Sequence, residues 1–450
     1  MKKFLTIVII VIIFTFSGCS DDGTGYNTQS SPVEMSMDNA LGHIAGIPGT
    51  VTDNSRSLIV IISDTHLGDK RSIDNGYGWF INNRNRLVNF LNQLAVRPSV
   101  KELVLGGDLF DEWVVPMEYD TFNGFGSDQE GESKFVNSIA SNNPDVINAI
   151  NNLISSGVKV TYVPGNHDML VSEDDINRLF PGINQQRDSA GLGAYSPQWL
   201  PQVVIEHGHR YDFYNAPDIL SNKIPYSPQN YTDNPDAILP PGFFVTKIAT
   251  SQGVSVPIPA IDNTSTGDGH FLYWASWQLI LDELHVTEDP NARIIKTGID
   301  GYRDNYAIND LAPSYNKEPL LYQNIEENWG ERQNRNNINV PISIASALLS
   351  GAWDSWCDFQ SYTQYFTYNS DKRIVVFGHT HHATLGYSVN NNRQKCIYAN
   401  SGTWIDSGNP DCTCVVIEPD SQINGNINVS VYQFTEQQTL LTLHSGTIMK

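Results

Sequence analysis

The sequence predicts an α/β fold. Short apolar, β-branched runs of strand length alternate with segments of helical periodicity through the first half of the chain. The first of these runs is continuous, the pattern of a strand buried on both faces. At 450 residues, 40% hydrophobic and 17% charged, the chain has material for one large elaborated domain or two, and is too apolar to be wholly disordered.

The elements follow in order. Lys2 and Lys3 precede a thirteen-residue apolar run from Phe4 to Phe16, shorter than the roughly 17–25 residues a membrane-spanning helix needs. A basic start, an apolar middle and the small residues Ser17 and Gly18 predict an export signal over 1–19. The ending Phe16-Ser17-Gly18-Cys19 resembles a bacterial lipobox, which implies a lipid-modified Cys19 and a membrane-anchored body on the periplasmic side or cell surface. Residues 20–56, rich in Ser, Asp, Asn, Gly and Thr, read as a flexible tether.

Strands are then predicted at Leu58–Ser63, Glu102–Gly106, Lys159–Val163 and Val203–Glu206, with helices at Trp79–Leu94 and Val146–Ile154. Further strands fall at Arg373–Phe377, Ile397–Ala399, Cys412–Ile417 and Val429–Phe434. The chain thus divides into a body over 57–210 and 371–450, with a large, partly helical insertion over 211–370.

The charge balance excludes one class of partner. With 27 Lys+Arg against 49 Asp+Glu the formal charge is −22, and such a chain repels a phosphate backbone, so nucleic-acid binding is not expected. Five cysteines are too few for a disulfide scaffold. Beyond Cys19 they are Cys357, Cys396, Cys412 and Cys414; Cys412 and Cys414 share one face of a strand, with Cys396 a neighbour across a hairpin. An exported compartment permits a disulfide, with its pairing open.

Polar residues collect where the strands end. The segments are Ser63-Asp64-Thr65-His66, Gly107-Asp108-Leu109-Phe110-Asp111, Gly165-Asn166-His167-Asp168, His207-Gly208-His209 and Gly378-His379-Thr380-His381-His382. They hold seven of the eleven histidines. Loops at the carboxyl ends of parallel strands converge on one crevice. Any one such segment is commonly a turn or a helix cap, but five in order, each just past a strand, point to one site. Asp64, His66, Asp108, Asn166, His207, His379 and His381 offer nitrogen and oxygen donors without a thiolate, suited to Mn, Fe, Zn or Ni. Seven ligands are too many for one ion with an open position and fit two divalent metal ions, a clamp for displacement at phosphorus.

Those segments, as Asp64-x-His66, Gly107-Asp108-x-x-Asp111, Gly165-Asn166-His167-Asp168, His207 and Gly378-His379-x-His381, resemble the calcineurin-like metallophosphoesterases. The resemblance implies a four-layer αββα sandwich, two central sheets flanked by helices. It implies that Asp64, His66, Asp108 and His381 hold one ion. Asp108 would bridge to a second, completed by Asn166, His207 and His379, with a hydroxide between the ions as nucleophile. His167 would serve the leaving group, with Asp111 and Asp168 as candidates to orient it, Asp111 the better.

One departure narrows the family. Protein phosphatases carry an Arg after the second Asp of the second motif, whereas Glu112 and Trp113 stand here. The wording of the first two motifs is similar to the UDP-diacylglucosamine diphosphatase branch, but an exported lipoprotein would not meet that cytoplasmic substrate.

The resulting expectation is an exported dinuclear phosphoesterase acting on a small-molecule or lipid-linked phosphate. A pyrophosphatase-type hydrolase of a nucleotide- or lipid-linked diphosphate is the alternative within enzymes. A catalytically dead binding lipoprotein would show missing ligands, and here every position is filled. Of the spare histidines, His209 either touches substrate or fixes its loop, and His382 reads as exposed.

Within 211–370, Phe271, Trp274, Trp277, Leu281 and Leu284 lie on one predicted helical face, and Ile342, Ala345, Leu349, Ala352, Trp356 and Phe359 on another. Their first reading is the core of the insertion packed on the body; the second is a lid that also grips the substrate beyond its phosphate.

Overall fold

The computed structural model describes residues 32–42, 57–115, 129–189, 191–221, 238–251, 269–286, 289–292, 295–296, 305–312, 321–322, 324–348, 356–419 and 425–449. The predicted export signal and Cys19 lie outside the described residues. Among the described residues no helix is long and apolar enough to cross a membrane.

Eight strands make the larger sheet: β1 (Val33–Ser36), β2 (Leu58–Ile62), β3 (Val100–Gly106), β4 (Lys159–Val163), β5 (Asn184–Gln185), β13 (Thr413–Pro419), β14 (Asn426–Phe434) and β15 (Thr439–Met449). Their spatial order is β1-β15-β14-β13-β2-β3-β4-β5. The smaller sheet is built from β6 (Ala194–Tyr195), β7 (Val203–Glu206), β10 (Ile374–Phe377), β11 (Thr384–Val389) and β12 (Lys395–Asn400), in the order β11-β12-β10-β7-β6. A separate ribbon pairs β8 (Ile295–Lys296) with β9 (Asn305–Tyr306).

The order of buried side chains explains why β2 reads as an unbroken apolar run. Ile59 and Ile61 join a core shared between the sheets with Val203, Ile205, Ile374 and Val376. Leu58, Val60 and Ile62 face the other way, against Leu87, Phe90, Leu91 and Leu94 of helix Arg84–Ala95 and Val146, Ile150 and Leu153 of helix Pro144–Ser155. A strand covered on both faces has no polar side to alternate with.

The smaller sheet is covered on its outer face too. Val204, Val375, Phe377 and Tyr398 share a core with Phe243, Trp277, Trp329 and Phe366. The chain between β7 and β10 therefore supplies the helical layer over this sheet, including helices Pro241–Ser251, Gly269–Glu283 and Trp329–Arg335. Helix, sheet, sheet and helix make the four layers that the sequence predicts.

Several elements differ from expectation. Inside the predicted tether, β1 pairs antiparallel with β15, and the short helix Met37–Leu41 buries Met37 and Leu41. The predicted helix over Trp79–Leu94 starts only at Arg84, because Asp406 accepts the amides of Ile81, Asn82 and Asn83 and holds them in a turn. Trp79 is thereby freed from the helix.

The aromatic stripes also move. In helix Gly269–Glu283 and the turn after it the buried line is Tyr273, Trp277, Ile280 and Leu284, while Trp274 and Leu281 are half-buried. A helix apolar on most sides leaves its buried face undetermined by periodicity. The second predicted stripe is not one buried face: Ala345 is exposed in helix Ile344–Leu348, and Phe359 is 56% exposed in helix Trp356–Ser361.

No disulfide joins Cys396 to Cys412 or Cys414. All three are buried free thiols, Cys396 in the core outside the smaller sheet and the other two outside the larger. Burial raises Cys396 to about 11 and Cys414 to about 12, and it raises Cys412 as well. The thiolate is the reactive form. Iodoacetamide at pH 8 should therefore leave these three unmodified in the folded chain and label them after denaturation, with peptide mass spectrometry as the readout. Rapid labelling of the native protein would contradict this packing.

Candidate metal centre

Strands β2, β3 and β4 run parallel, as do β7, β10 and β12, and their carboxyl ends bring all five polar segments together. The backbone there is held out of its ordinary range. Asp64, His66, Asp108, His379 and His381 have φ of 53°, 47°, 52°, 70° and 60°. Side-chain-bearing residues adopt such angles only where surrounding structure imposes them, and these cluster at functional sites. Part of what imposes them is a ladder that continues beyond the strands: Asp64 N donates to Gly107 O, and His66 N to Asp108 O, each at 3.0 Å.

The side chains converge. Asp64 Oδ1 lies 3.1 Å from His381 Nε2 and 3.9 Å from Nε2 of both His66 and His207. His66 Nε2 and His381 Nε2 face each other at 3.2 Å. Asp108 Oδ2 is 3.1 Å from His207 Nε2 and 3.7 Å from His66 Nε2, so this carboxylate stands between the two halves of the cluster. Asn166 Oδ1 is 3.1 Å from His207 Nε2. Three groups bring their ligand atoms within 4.8 Å of one another: Asp64 with His66 and His381, Asp64 with Asp108 and His207, and His66 with Asp108 and His167.

This cradle suits a cation on its own geometry. His207 Nδ1 donates to the Gly106 carbonyl at 2.9 Å, which leaves Nε2 to face Asp108 Oδ2 and Asn166 Oδ1. Acceptors pointed at one another repel unless a positive charge sits among them. Burial opposes charge on the His207 ring, yet the Asp108 and Asp64 carboxylates raise its pKa to about 10. A site that favours a proton so strongly favours a divalent ion in its place.

His379 joins the cluster from the smaller sheet. Its amide donates to Asp64 Oδ2 at 3.1 Å, and its ring centroid lies 5.3 Å from that of His207. Its Nε2 is turned to Asp212 Oδ2 at 3.4 Å, a carboxylate that the sequence reading does not single out.

His167 is framed by Asp111 and two tryptophans. Its Nδ1 is 3.0 Å from Asp111 Oδ1, and Trp113 stacks on the ring at 4.7 Å and 27°. Burial opposes a charged His167, but Asp111 and Asp108 outweigh it and raise its pKa. Asp111 is held far below the usual carboxylate range by His167 and His66, against its burial. Trp79, expected inside a helix, instead lies 4.9 Å from His66 and 5.6 Å from His167 between ring centroids.

Asp168 needs correcting as an orienting partner of His167. Its oxygens accept the amides of Gly165 at 2.7 Å and Leu109 at 2.8 Å, so it clamps the second polar segment to the third. His209 is buried, and its Nε2 donates to Gly191 O at 3.0 Å, fixing its loop. His382 is exposed.

The segment after β12 contributes what the motifs omit. Thr403 Oγ1 and Trp404 N both donate to Asp64 O, at 2.9 and 3.1 Å, and Asn400 Nδ2 donates to Gly378 O at 2.7 Å. The same carboxyl-end rule that found the other loops applies here, but hydroxyls and an amide carry no metal signature.

Two motif glycines are steric requirements. A Cβ on Gly165 would lie 2.1 Å from Asp108 Oδ1, and one on Gly107, at φ +99°, would lie 2.4 Å from His207 Nδ1. Gly165→Ala should displace Asp108 and lower metal-dependent turnover by roughly 10²-fold, as a misplacement of about 1 Å does. Steady-state kinetics with ion analysis would test this, and unchanged turnover would show that the loop relaxes freely.

A sheet-end cradle of carboxylates, imidazoles and one amide, with a further histidine beside it, defines a metal-dependent phosphoesterase. Residues 57–247 match the family model of the calcineurin-like phosphoesterases. His379 and His381 lie beyond the matched stretch and are joined to it by their contacts with Asp64. No curated protein matches the chain in sequence. Among solved structures, the phosphopantetheinyl hydrolase of Mycobacterium tuberculosis aligns with 78% of this chain and 91% of its own, at 12% identity and a TM-score of 0.26, too low a score to argue from.

Proposed function

We propose that this chain hydrolyses a phosphate ester at a centre of two divalent ions, with His167 assisting the leaving group. The observation that carries the reading is Asp108, whose Oδ2 stands between His207 and His66 while Oδ1 is fixed by the His167 amide at 2.8 Å. Asp64, His66 and His381 would complete one ion position, and Asn166, His207 and His379 the other. Ions held there would supply Lewis-acid stabilisation of the phosphoryl oxygens and a water deprotonated near neutral pH. The protein's share is to fix the ligand geometry, to hold Asp108 between the positions, and to present a protonated His167 toward the departing oxygen.

Mn, Fe, Zn and Ni all suit this donor set. The basic start, the short apolar run and Cys19 support export and lipid attachment as part of the same proposal, with a small-molecule or lipid-linked phosphate as substrate. The buried Glu112, directly after Asp111 where protein phosphatases carry a phosphate-gripping arginine, argues against a protein phosphatase.

The test is hydrolysis of p-nitrophenyl phosphate, its bis-ester and a pyrophosphate-linked nucleotide after loading each metal. Metal-dependent turnover is expected, and the preferred substrate separates ester from pyrophosphate chemistry. A chain that binds no ion and turns over none of the three would overturn the reading.

A further inference from the structure

We infer that Asp212, braced by Asn215, is a positioning residue for His379 and thereby sets the affinity of one of the two ion positions. The inference rests on the two-ion reading above. It concerns a carboxylate that belongs to no motif and follows the short helical turn His209–Tyr211 at the end of β7.

The geometry around His379 repeats a pattern already seen at His207. A ligating histidine works with one nitrogen, and a partner on the other nitrogen fixes the tautomer and the ring orientation. At His207 that partner is the Gly106 carbonyl, 2.9 Å from Nδ1. At His379 it is Asp212 Oδ2, 3.4 Å from Nε2, which leaves Nδ1 for an ion. A carboxylate also makes the ring a stronger donor than a carbonyl does, because it stabilises the positive charge the ring acquires on ligation.

Asp212 is itself held from several sides. Its Oδ1 accepts the Tyr214 amide at 2.8 Å, and Asn215 Nδ2 donates to Oδ2. Asn215 Oδ1 in turn lies 3.4 Å from Asn166 Nδ2, so one asparagine links Asp212 to a second candidate ligand of the same ion position. The stretch is anchored from the outer helical layer. Buried Arg332, on helix Trp329–Arg335, donates to the carbonyls of Phe213, Ala216 and Pro217. The layer over the smaller sheet thus reaches the metal centre through backbone and two side chains.

The experiment uses full-length protein purified in detergent, with ion content and affinity measured by mass spectrometry of the metal and by calorimetric titration with Mn or Zn alone. Asp212→Asn keeps an oxygen for the Tyr214 amide and removes the charge facing His379. The expected result is that the wild type takes up two ions, while the variant holds one normally and binds the other roughly 10–100-fold more weakly. The melting temperature of the metal-free protein should be unchanged. Asn215→Ala should weaken the same ion by a smaller factor.

Two ions bound by Asp212→Asn within twofold of the wild type would overturn the inference. So would loss of both ions together with a lowered melting temperature, which is what a merely structural Asp212 produces. A wild type that binds no ion would instead sink the two-ion reading, a result distinguishable from failure of the variant alone.

Discussion

Asp108→Ala should remove metal-dependent turnover almost completely. This carboxylate faces His207 at 3.1 Å and His66 at 3.7 Å, closer than Asp64, which lies 3.9 Å from each, so its loss would withdraw a ligand from both proposed ion positions at once. Stabilisation of transition-state charge by a bound ion is worth several kcal/mol, and about 1.36 kcal/mol is a decade of rate. A fall of roughly three orders of magnitude or more in kcat/KM is expected, together with a fall in bound ion. Asp108→Asn separates two roles. The amide oxygen can still accept the His167 amide that Oδ1 accepts at 2.8 Å, so the third loop keeps its place while the bridging charge is gone. Turnover should remain near the Ala level if charge is what matters. Circular dichroism would confirm that both variants fold. An Ala variant that binds two ions and turns over normally would remove Asp108 from the centre of the site.

How much of this was legible in the sequence follows from where each residue gets its position. Asp64, Asp108, Asn166, His207 and His379 each stand immediately beyond an apolar run, so local pattern and the carboxyl-end rule were enough to collect them. The double burial of Leu58–Ile62 was legible as a continuous apolar run, whereas the four layers were implied by the family resemblance and not by periodicity. Asp212 was not, because its relation to His379 spans 167 positions and is made by the packing of two loops. Periodicity alone puts Trp79 in a helix, and the later start comes from Asp406, far along the chain, which accepts the amides of Ile81 and Asn82. Adjacency to His167 in sequence does not place the Asp168 carboxylate beside its ring; the carboxylate turns to the amides of Gly165 and Leu109. The strand β1 inside the expected tether has weak local signal and exists through its pairing with β15.

The second large effect is expected at His167, and its signature lies in the leaving group more than in the rate alone. His167→Ala should lower turnover of an alkyl phosphate by roughly 10²–10⁴-fold, the usual contribution of a positioned general acid. With p-nitrophenyl phosphate, whose leaving oxygen needs little protonation, the loss should be much smaller. Bound ion should stay at two per chain, which matters because His66, Asp108 and His167 also bring ligand atoms within 4.8 Å of one another. If the variant lost an ion and both substrates suffered equally, His167 would be a ligand and not an acid. Asp111→Asn probes the same chemistry one step removed. The Asp111 carboxylate touches His167 Nδ1 at 3.0 Å and lies 3.6 Å from His66 Nδ1, while Oδ1 also accepts the amides of Trp113 and Val114. Asn can keep the amide contacts but not the charge, so the ring stays stacked on Trp113 and loses the partner that favours its protonated form. An intermediate loss of roughly 10-fold to 10²-fold is expected, again larger for the alkyl phosphate. Equal losses on the two substrates would mean that Asp111 acts through His66 and the ion beside it, and not through His167.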